Sequence, residues 1–145
     1  MSLAYWRADG QRRQTLQAVL DVERVLADVL RKLIAWTAQP PEPKVRPYVL
    51  GIELRVSGTL IGHVGLSAAR GSVEIGYAVE DAHQGQGLAG EAVAAVAAWG
   101  LSALALPEVL GIVERDNTPS RRVLERAGFA LVSEDGVRIV YRALP

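Results

Sequence analysis

The clearest chemistry in the sequence lies in one continuous stretch, His83-Gln84-Gly85-Gln86-Gly87-Leu88-Ala89-Gly90. It stands between an alternating apolar run and a helical repeat, which makes it a strand–turn–helix junction. The first N–H groups of a helix have no partner within it and sit at the positive end of its dipole. Glycines ahead of them let the backbone approach an anion with no Cβ in the way. Such a turn can hold a pyrophosphate without a dedicated lysine. The same glycines also suit a loop that merely needs positive φ, so the turn by itself leaves both readings open. Two other phosphate motifs are excluded by spelling. A P-loop ends in Gly-Lys-Ser or Gly-Lys-Thr, whereas this turn ends Leu88-Ala89-Gly90. A dinucleotide fingerprint needs its glycines within a parallel strand–helix–strand unit near the first strand, and here they follow an antiparallel meander.

Upstream, Glu74 lies in an apolar strand, on the same side as Gly76 and Ala78 by strand alternation. A carboxylate there can take a proton from an incoming amine, directly or through water. It can equally be an exposed charge on the outer sheet face or a partner of Arg70. Tyr77 points the other way and is read as packing. His63 is read as a structural histidine in a strand, and His83 as packing beside the turn. Two isolated histidines without a carboxylate cluster make no metal site. Arg121 and Arg122 suit either an outer phosphate or a solvated helix face. The chain has no cysteine, which removes disulfides, thiolate metal sites and a cysteine nucleophile.

Periodicity supplies the elements that must position these residues. From about Thr15 to Trp36, the apolar residues Leu16, Val19, Val22, Leu26, Val29, Leu30 and Leu33 recur mostly at steps of three and four, which predicts a helix. Gln39-Pro40-Pro41-Glu42-Pro43 is a loop. Three strands follow, Leu50 to Val56, Thr59 to Leu66 and Ser72 to Val79, joined by turns at Ser57-Gly58 and Arg70-Gly71. Val93, Val96, Ala97, Gly100, Leu101 and Leu104 mark a helix ended by Pro107. A strand over Val109 to Val113 precedes a second helix, with Thr118 as N-cap, Pro119 at the first helical position and Gly128 as its stop. Phe129 to Ser133 and Val137 to Tyr141 flank Asp135-Gly136, a two-residue hairpin signal. The order predicts an α+β domain with one mixed sheet.

The 145 residues fit one domain, 1–145, and half of them are hydrophobic, as in a globular core. Sixteen basic residues balance sixteen acidic ones, so neither a nucleic acid nor an anionic membrane is an expected partner. An anionic ligand must therefore be held locally. No run is long and apolar enough to span a bilayer, nor does the N-terminus read as a signal peptide. With no cysteine, a cytoplasmic location is expected.

Gln84-x-x-Gly87-x-Ala89 resembles the Q/R-x-x-G-x-G/A signature of the GNAT acetyltransferases, and it directly follows Val73-Glu74-Ile75-Gly76-Tyr77-Ala78-Val79. A second block is also similar: Asn117-Thr118-Pro119-Ser120-Arg121-Arg122-Val123-Leu124, closing with Ala127-Gly128-Phe129. Ile61-Gly62-His63-Val64-Gly65 and Glu74-Ile75-Gly76-Tyr77 resemble the branch that includes ribosomal-protein N-terminal acetyltransferases. The similarity runs over roughly 47–141. It implies a three-layer α/β/α fold around a mixed, mostly antiparallel sheet. The strand that normally opens that fold is missing from Met1 to Gly10.

The resemblance also implies an acetyl-CoA-dependent transfer to a primary amine, on a small molecule or a peptide. Backbone groups of Gln84, Gly85, Gln86, Gly87, Leu88, Ala89 and Gly90 would hold the cofactor pyrophosphate. Ala78 and Val79 would pair with the pantetheine arm, the Ala78 N–H would polarise the acetyl carbonyl, and Asn117 would meet the arm. Glu74 would be the base. Where many relatives carry a tyrosine that protonates the departing thiolate, this chain has Leu124, which leaves Ser120 as the nearest hydroxyl. A CoA-binding regulatory module without efficient transfer is the alternative, and a homodimer is left open.

Overall fold

A computed structural model of the chain describes residues 18–21, 41–45 and 47–145. Its framework is a seven-stranded sheet. β1 is Ala18–Asp21, β2 Tyr48–Glu53, β3 Leu60–Ala69 and β4 Ser72–Val79. A 3-10 turn, Asp81–His83, leads into α1, Leu88–Ser102. β5 (Val109–Glu114), α2 (Thr118–Arg126), β6 (Ala130–Glu134) and β7 (Arg138–Ala143) complete the order. Across the sheet the strands run β1-β2-β3-β4-β5-β7-β6. The β1–β2 and β4–β5 contacts are parallel and the rest antiparallel, as expected for a mixed, mostly antiparallel sheet.

The helix expected from about Thr15 to Trp36 is overturned at Ala18–Asp21. These residues form a strand in register with β2, from Ala18 opposite Leu50 to Asp21 opposite Glu53. A short apolar run satisfies both periods, and the open edge of β2 supplies the backbone partners that decide between them. A strand therefore does precede the meander. The remainder of that helix, and the opening strand found missing from Met1 to Gly10, fall outside the described residues.

The meander forms as its turns dictate. Arg70 and Gly71 both take positive φ, 50° and 75°, and close the β3–β4 hairpin between Ala69 and Ser72. Such left-handed pairs match the twist of the flanking strands. The β6–β7 turn has the expected two-residue length but is shifted by one position: Asp135 N–H bonds to Arg138 O at 2.9 Å, so Gly136 and Val137 are the turn residues. Gly136 does not take a left-handed φ among the positive-φ residues. Instead, the Asp135 carboxylate accepts N–H bonds from Val137 at 2.9 Å and Arg138 at 2.7 Å. Those bonds hold its carboxyl below the usual range.

Alternation puts Val73, Ile75, Tyr77 and Val79 on one face of β4, opposite Val64 and Leu66 of β3. Both described helices pack on that face. A methyl group at Gly100 of α1 would stand 3.2 Å from Leu66 Cδ1, and one at Gly111 of β5 would stand 2.7 Å from both Leu124 Cδ atoms. Glycine at 111 thus lets α2 press onto β5. Leu124 is fully buried there, a burial worth about 1.5–3 kcal/mol. Outside this cluster, the third layer implied by the resemblance falls on residues that are not described.

Candidate functional site

β4 and β5 share a single registered pair, Glu74 opposite Leu110. Past that point each strand keeps its other neighbour: β4 stays on β3 as far as Val79 opposite Gly62, and β5 stays on β7 throughout. The edges of β4 and β5 that face one another consequently diverge. Parallel strands that separate in this way expose backbone N–H and C=O groups that can receive another extended chain.

A cleft of about 760 Å³ opens from this divergence. The sequence alone brought together most of its walls. Ala78 and Val79 come from β4, Gln84, Gly85, Gly87, Leu88, Ala89 and Gly90 from the glycine turn, and Asn117 and Ser120 from the start of α2. Gln86 is exposed and does not line the cleft. Glu74 does not line it either. It lies half-buried at the apex where β4 and β5 still pair, opposite Ser67 of β3.

The glycine turn is built as an open helix start. Gly87 is the N-cap of α1, with φ 77° and ψ 5°, and no side chain caps the helix. Gly85 also has positive φ, 75°. Only glycine takes these conformations without strain. The first intrahelical bond runs from Glu91 N–H to Gly87 O, 3.0 Å, so the N–H groups ahead of Glu91 have no acceptor within the helix. The Gln84 side chain does not face a ligand. Its Nε2 donates to Val79 O at 2.9 Å and to Asp81 Oδ1 at 3.2 Å, which ties the turn to the end of β4.

The opposite wall is held by α2. Its N-cap is Asn117, one residue earlier than Thr118; Thr118 is the first helical residue and Pro119 follows it. Asn117 Oδ1 accepts the Ser120 N–H at 3.3 Å. Asparagine takes the cap because its carbonyl reaches the third helical N–H. The stop at Gly128 is as expected, with Phe129 N–H bonding back to Leu124 O at 3.0 Å. Tyr77, read from the sequence as packing, also lines the cleft, and its hydroxyl donates to Ser120 O at 3.1 Å. Burial raises its phenol above the ordinary value, partly offset by the Ser120 side chain. Tyr77 therefore pins the start of α2 to β4. Its face was correct from alternation; what alternation could not say is that α2 would cover that face.

Leu124, where the resemblance implies a tyrosine, is a core residue against Gly111 and does not line the cleft. His63 is buried opposite Ala78, and burial lowers its imidazole from the ordinary value. His83 lines the cleft 3.7 Å from Glu80 Oε2. The structure separates the two neighbouring arginines. Arg121 Nε donates to Tyr141 Oη at 3.2 Å and its Nη1 to Arg115 O at 3.3 Å, whereas Arg122 lines the cleft together with Arg126. Arg126 was not singled out from the sequence, although its spacing of four from Arg122 is the signal for a shared helix face. Among the described residues, no group of three or more His, Cys, Asp or Glu side chains could hold a metal, and no helix is long and apolar enough to cross a membrane.

This geometry has counterparts in known proteins. The acetyltransferase (GNAT) domain family matches residues 2–130. The uncharacterized N-acetyltransferase YoaA of Bacillus subtilis is 38% identical over 82 residues, 54% of this chain and 46% of its own. The structure of Mycobacterium smegmatis RimJ in complex with CoA-disulfide is similar with a TM-score of 0.57 and 28% identity, over 68% of this chain and 53% of that one. At 20% identity, a ribosomal-protein-S5-alanine acetyltransferase from Vibrio fischeri shares the fold, with a TM-score of 0.61 over 68% of this chain and 61% of the other. The chain spans about half the length of the curated relatives it matches. With the family match covering most of its length, and a cleft built from both signature blocks, the chain belongs to the GNAT acetyltransferases.

Proposed function

We propose that the chain transfers an acetyl group directly from acetyl-CoA to a primary amine, on a peptide N-terminus or a small molecule, in the cytoplasm. One observation carries the reading: the open start of α1 and the start of α2 face a single cleft, at the point where β4 and β5 diverge. The glycines fit a phosphate-bearing ligand. Among the described residues, a Cβ at Gly85, Gly87 or Gly90 would meet nothing within 4 Å, so each bare position widens the space beside the unpaired N–H groups. Gly90 is the most telling, because it lies within α1 and needs no left-handed backbone. Glycine there costs about 0.5–1 kcal/mol of helix stability relative to alanine, a cost with no packing benefit among the described residues.

Bound acetyl-CoA would supply an activated thioester. The residues of the turn from Gln84 to Gly90 hold its pyrophosphate, chiefly through backbone N–H groups, with the Gln84 side chain fixing the turn. Ala78 and Val79 border its arm, as does Asn117. The Val79 N–H, on the edge of β4 that faces the cleft, polarises the reacting carbonyl in place of the Ala78 N–H, which the β3–β4 register turns toward His63. Glu74 lies two same-face positions before Ala78, about 13 Å along the strand. At that separation it serves as base through a file of more than one water. The Ser120 hydroxyl, which stands beside the Tyr77 phenol, donates to the departing sulfur.

The burial of Leu124 favours a second reading, a CoA-binding module without efficient transfer, because no tyrosine occupies that place. A screen of acetyl-CoA turnover across amine classes, with CoA binding measured alongside, separates the two. Turnover with any amine supports the enzyme; binding without turnover supports the module. In the same assay, Glu74→Gln should lower turnover by roughly a hundredfold with CoA affinity unchanged, as for loss of a general base.

A further inference from the structure

Two cations on the cleft wall make no ion pair and no side-chain hydrogen bond with the described residues. Arg122 and Arg126 are exposed, lie one turn apart on α2 and both line the cleft. Neither has an ion-pair partner among the described residues, in contrast to Arg115, which meets Glu134 at 3.4 Å, and Arg142, which meets Glu108 at 3.8 Å. Arg121, between them and the helix start, is taken up by Tyr141 and the Arg115 carbonyl. The carboxylates at the cleft are engaged on their own turn: Glu80 with His83, and Asp81 with Gln84. In a chain of zero formal charge, these two guanidinium groups are, among the described residues, the local positive charge available to a ligand in the cleft.

Resting on the acetyl-CoA reading above, we propose that Arg122 and Arg126 recognise the 3′-phosphate of the CoA nucleotide, and so make the chain discriminate CoA from dephospho-CoA. The two kinds of phosphate call for different partners. A pyrophosphate bridge is served by backbone N–H groups at a helix start. A phosphomonoester carries about −1.5 to −2 charge at neutral pH with three acceptor oxygens, which a planar guanidinium engages through two parallel bonds. Placement agrees with this division. At 1.5 Å per residue, α2 carries Arg122 about 3 Å and Arg126 about 9 Å beyond Ser120, away from the hydroxyl assigned to the sulfur. Both share a cleft with the glycine turn, whereas Glu74, assigned to the amine, stands outside it.

The test is calorimetric titration of CoA and dephospho-CoA into the wild type, into Arg122→Gln/Arg126→Gln, and into the charge-retaining Arg122→Lys/Arg126→Lys. The wild type should bind CoA roughly tenfold or more tightly than dephospho-CoA, the effect of about 1.4 kcal/mol of charge-assisted bonding. The glutamine variant should bind both equally, at the wild-type affinity for dephospho-CoA, and the lysine variant should keep part of the preference. Raising the salt should narrow the wild-type preference, since both cations are exposed. Equal wild-type binding of the two ligands overturns the proposal, as does a glutamine variant that weakens both alike or that keeps the preference. A wild type that binds neither overturns the acetyl-CoA reading itself, and this proposal with it.

Discussion

The two helices that border the cleft begin in opposite ways. α1 starts at Gly87 with no side chain over its first N–H groups, while α2 starts at Asn117, whose carbonyl accepts the Ser120 N–H. Helix starts are normally closed by a side chain, and losing that cap costs about 1 kcal/mol. A start left open inside a cleft keeps its donors for something else, and a start closed by its own side chain is a fixed support. The difference explains the division of labour proposed here. α1 offers backbone donors to an anion, and α2 offers side chains, Ser120 and the two arginines, from a position secured by Asn117 and by the Tyr77 hydroxyl.

The largest effect should come from closing the open start. Gly87→Glu puts a carboxylate beside the N–H groups and forces a non-glycine residue to φ 77°. The variant should melt lower than the wild type through backbone strain. CoA at about a hundred times its Kd should stabilise the wild type by about 2.7 kcal/mol and the variant not at all. Equal CoA-induced shifts in calorimetric melts would remove the turn as the site.

Next in size is the supported start. Ser120→Ala deletes a hydroxyl but keeps the N–H that Asn117 caps, so helix stability should hold. Turnover should fall roughly tenfold to a hundredfold if the hydroxyl stabilises the leaving sulfur by about 1–3 kcal/mol. An unchanged rate makes Ser120 a helix-start residue only.

Asn117→Ala reverses that pattern. It should cost about 1 kcal/mol in denaturant melts, a direct measure of how far α2 depends on its cap. The smallest change sharpens the contrast most. Gly90→Ala fills open space within α1, and should raise stability by about 0.5–1 kcal/mol while weakening CoA binding. An alanine variant that is more stable and binds equally well would show that the ligand does not come near Gly90.

Much of this site is legible in the sequence. The turn from Gln84 to Gly90 announces itself because glycine spacing and a helix start are local, and so do the hairpin at Arg70-Gly71 and the stop at Gly128. Other features depended on neighbours distant in the chain. Asn117 rather than Thr118 caps α2, a shift of one residue that turns on whether a side chain reaches an N–H. Ala18–Asp21 pair as a strand, since β2 offers an edge that no window of the sequence displays. Tyr77 faces the cleft side because α2, more than forty residues later, lies over it.

By itself, then, the sequence determined the elements whose signals are short in range: the meander, both helices around the cleft, the glycine turn and the family to which they belong. Only the tertiary structure decided which of those residues share one space. It placed Arg122 and Arg126 on the cleft wall and gave Arg121 to Tyr141, put Leu124 into the core against Gly111, and left Glu74 at the apex of the divergence. The physical reason is that local propensity is set within a few residues of chain. The side of a helix that meets a cleft is set by packing of elements far apart in sequence, here by the bare backbone of Gly111 that allows Leu124 to seat and so fixes the rotation of α2.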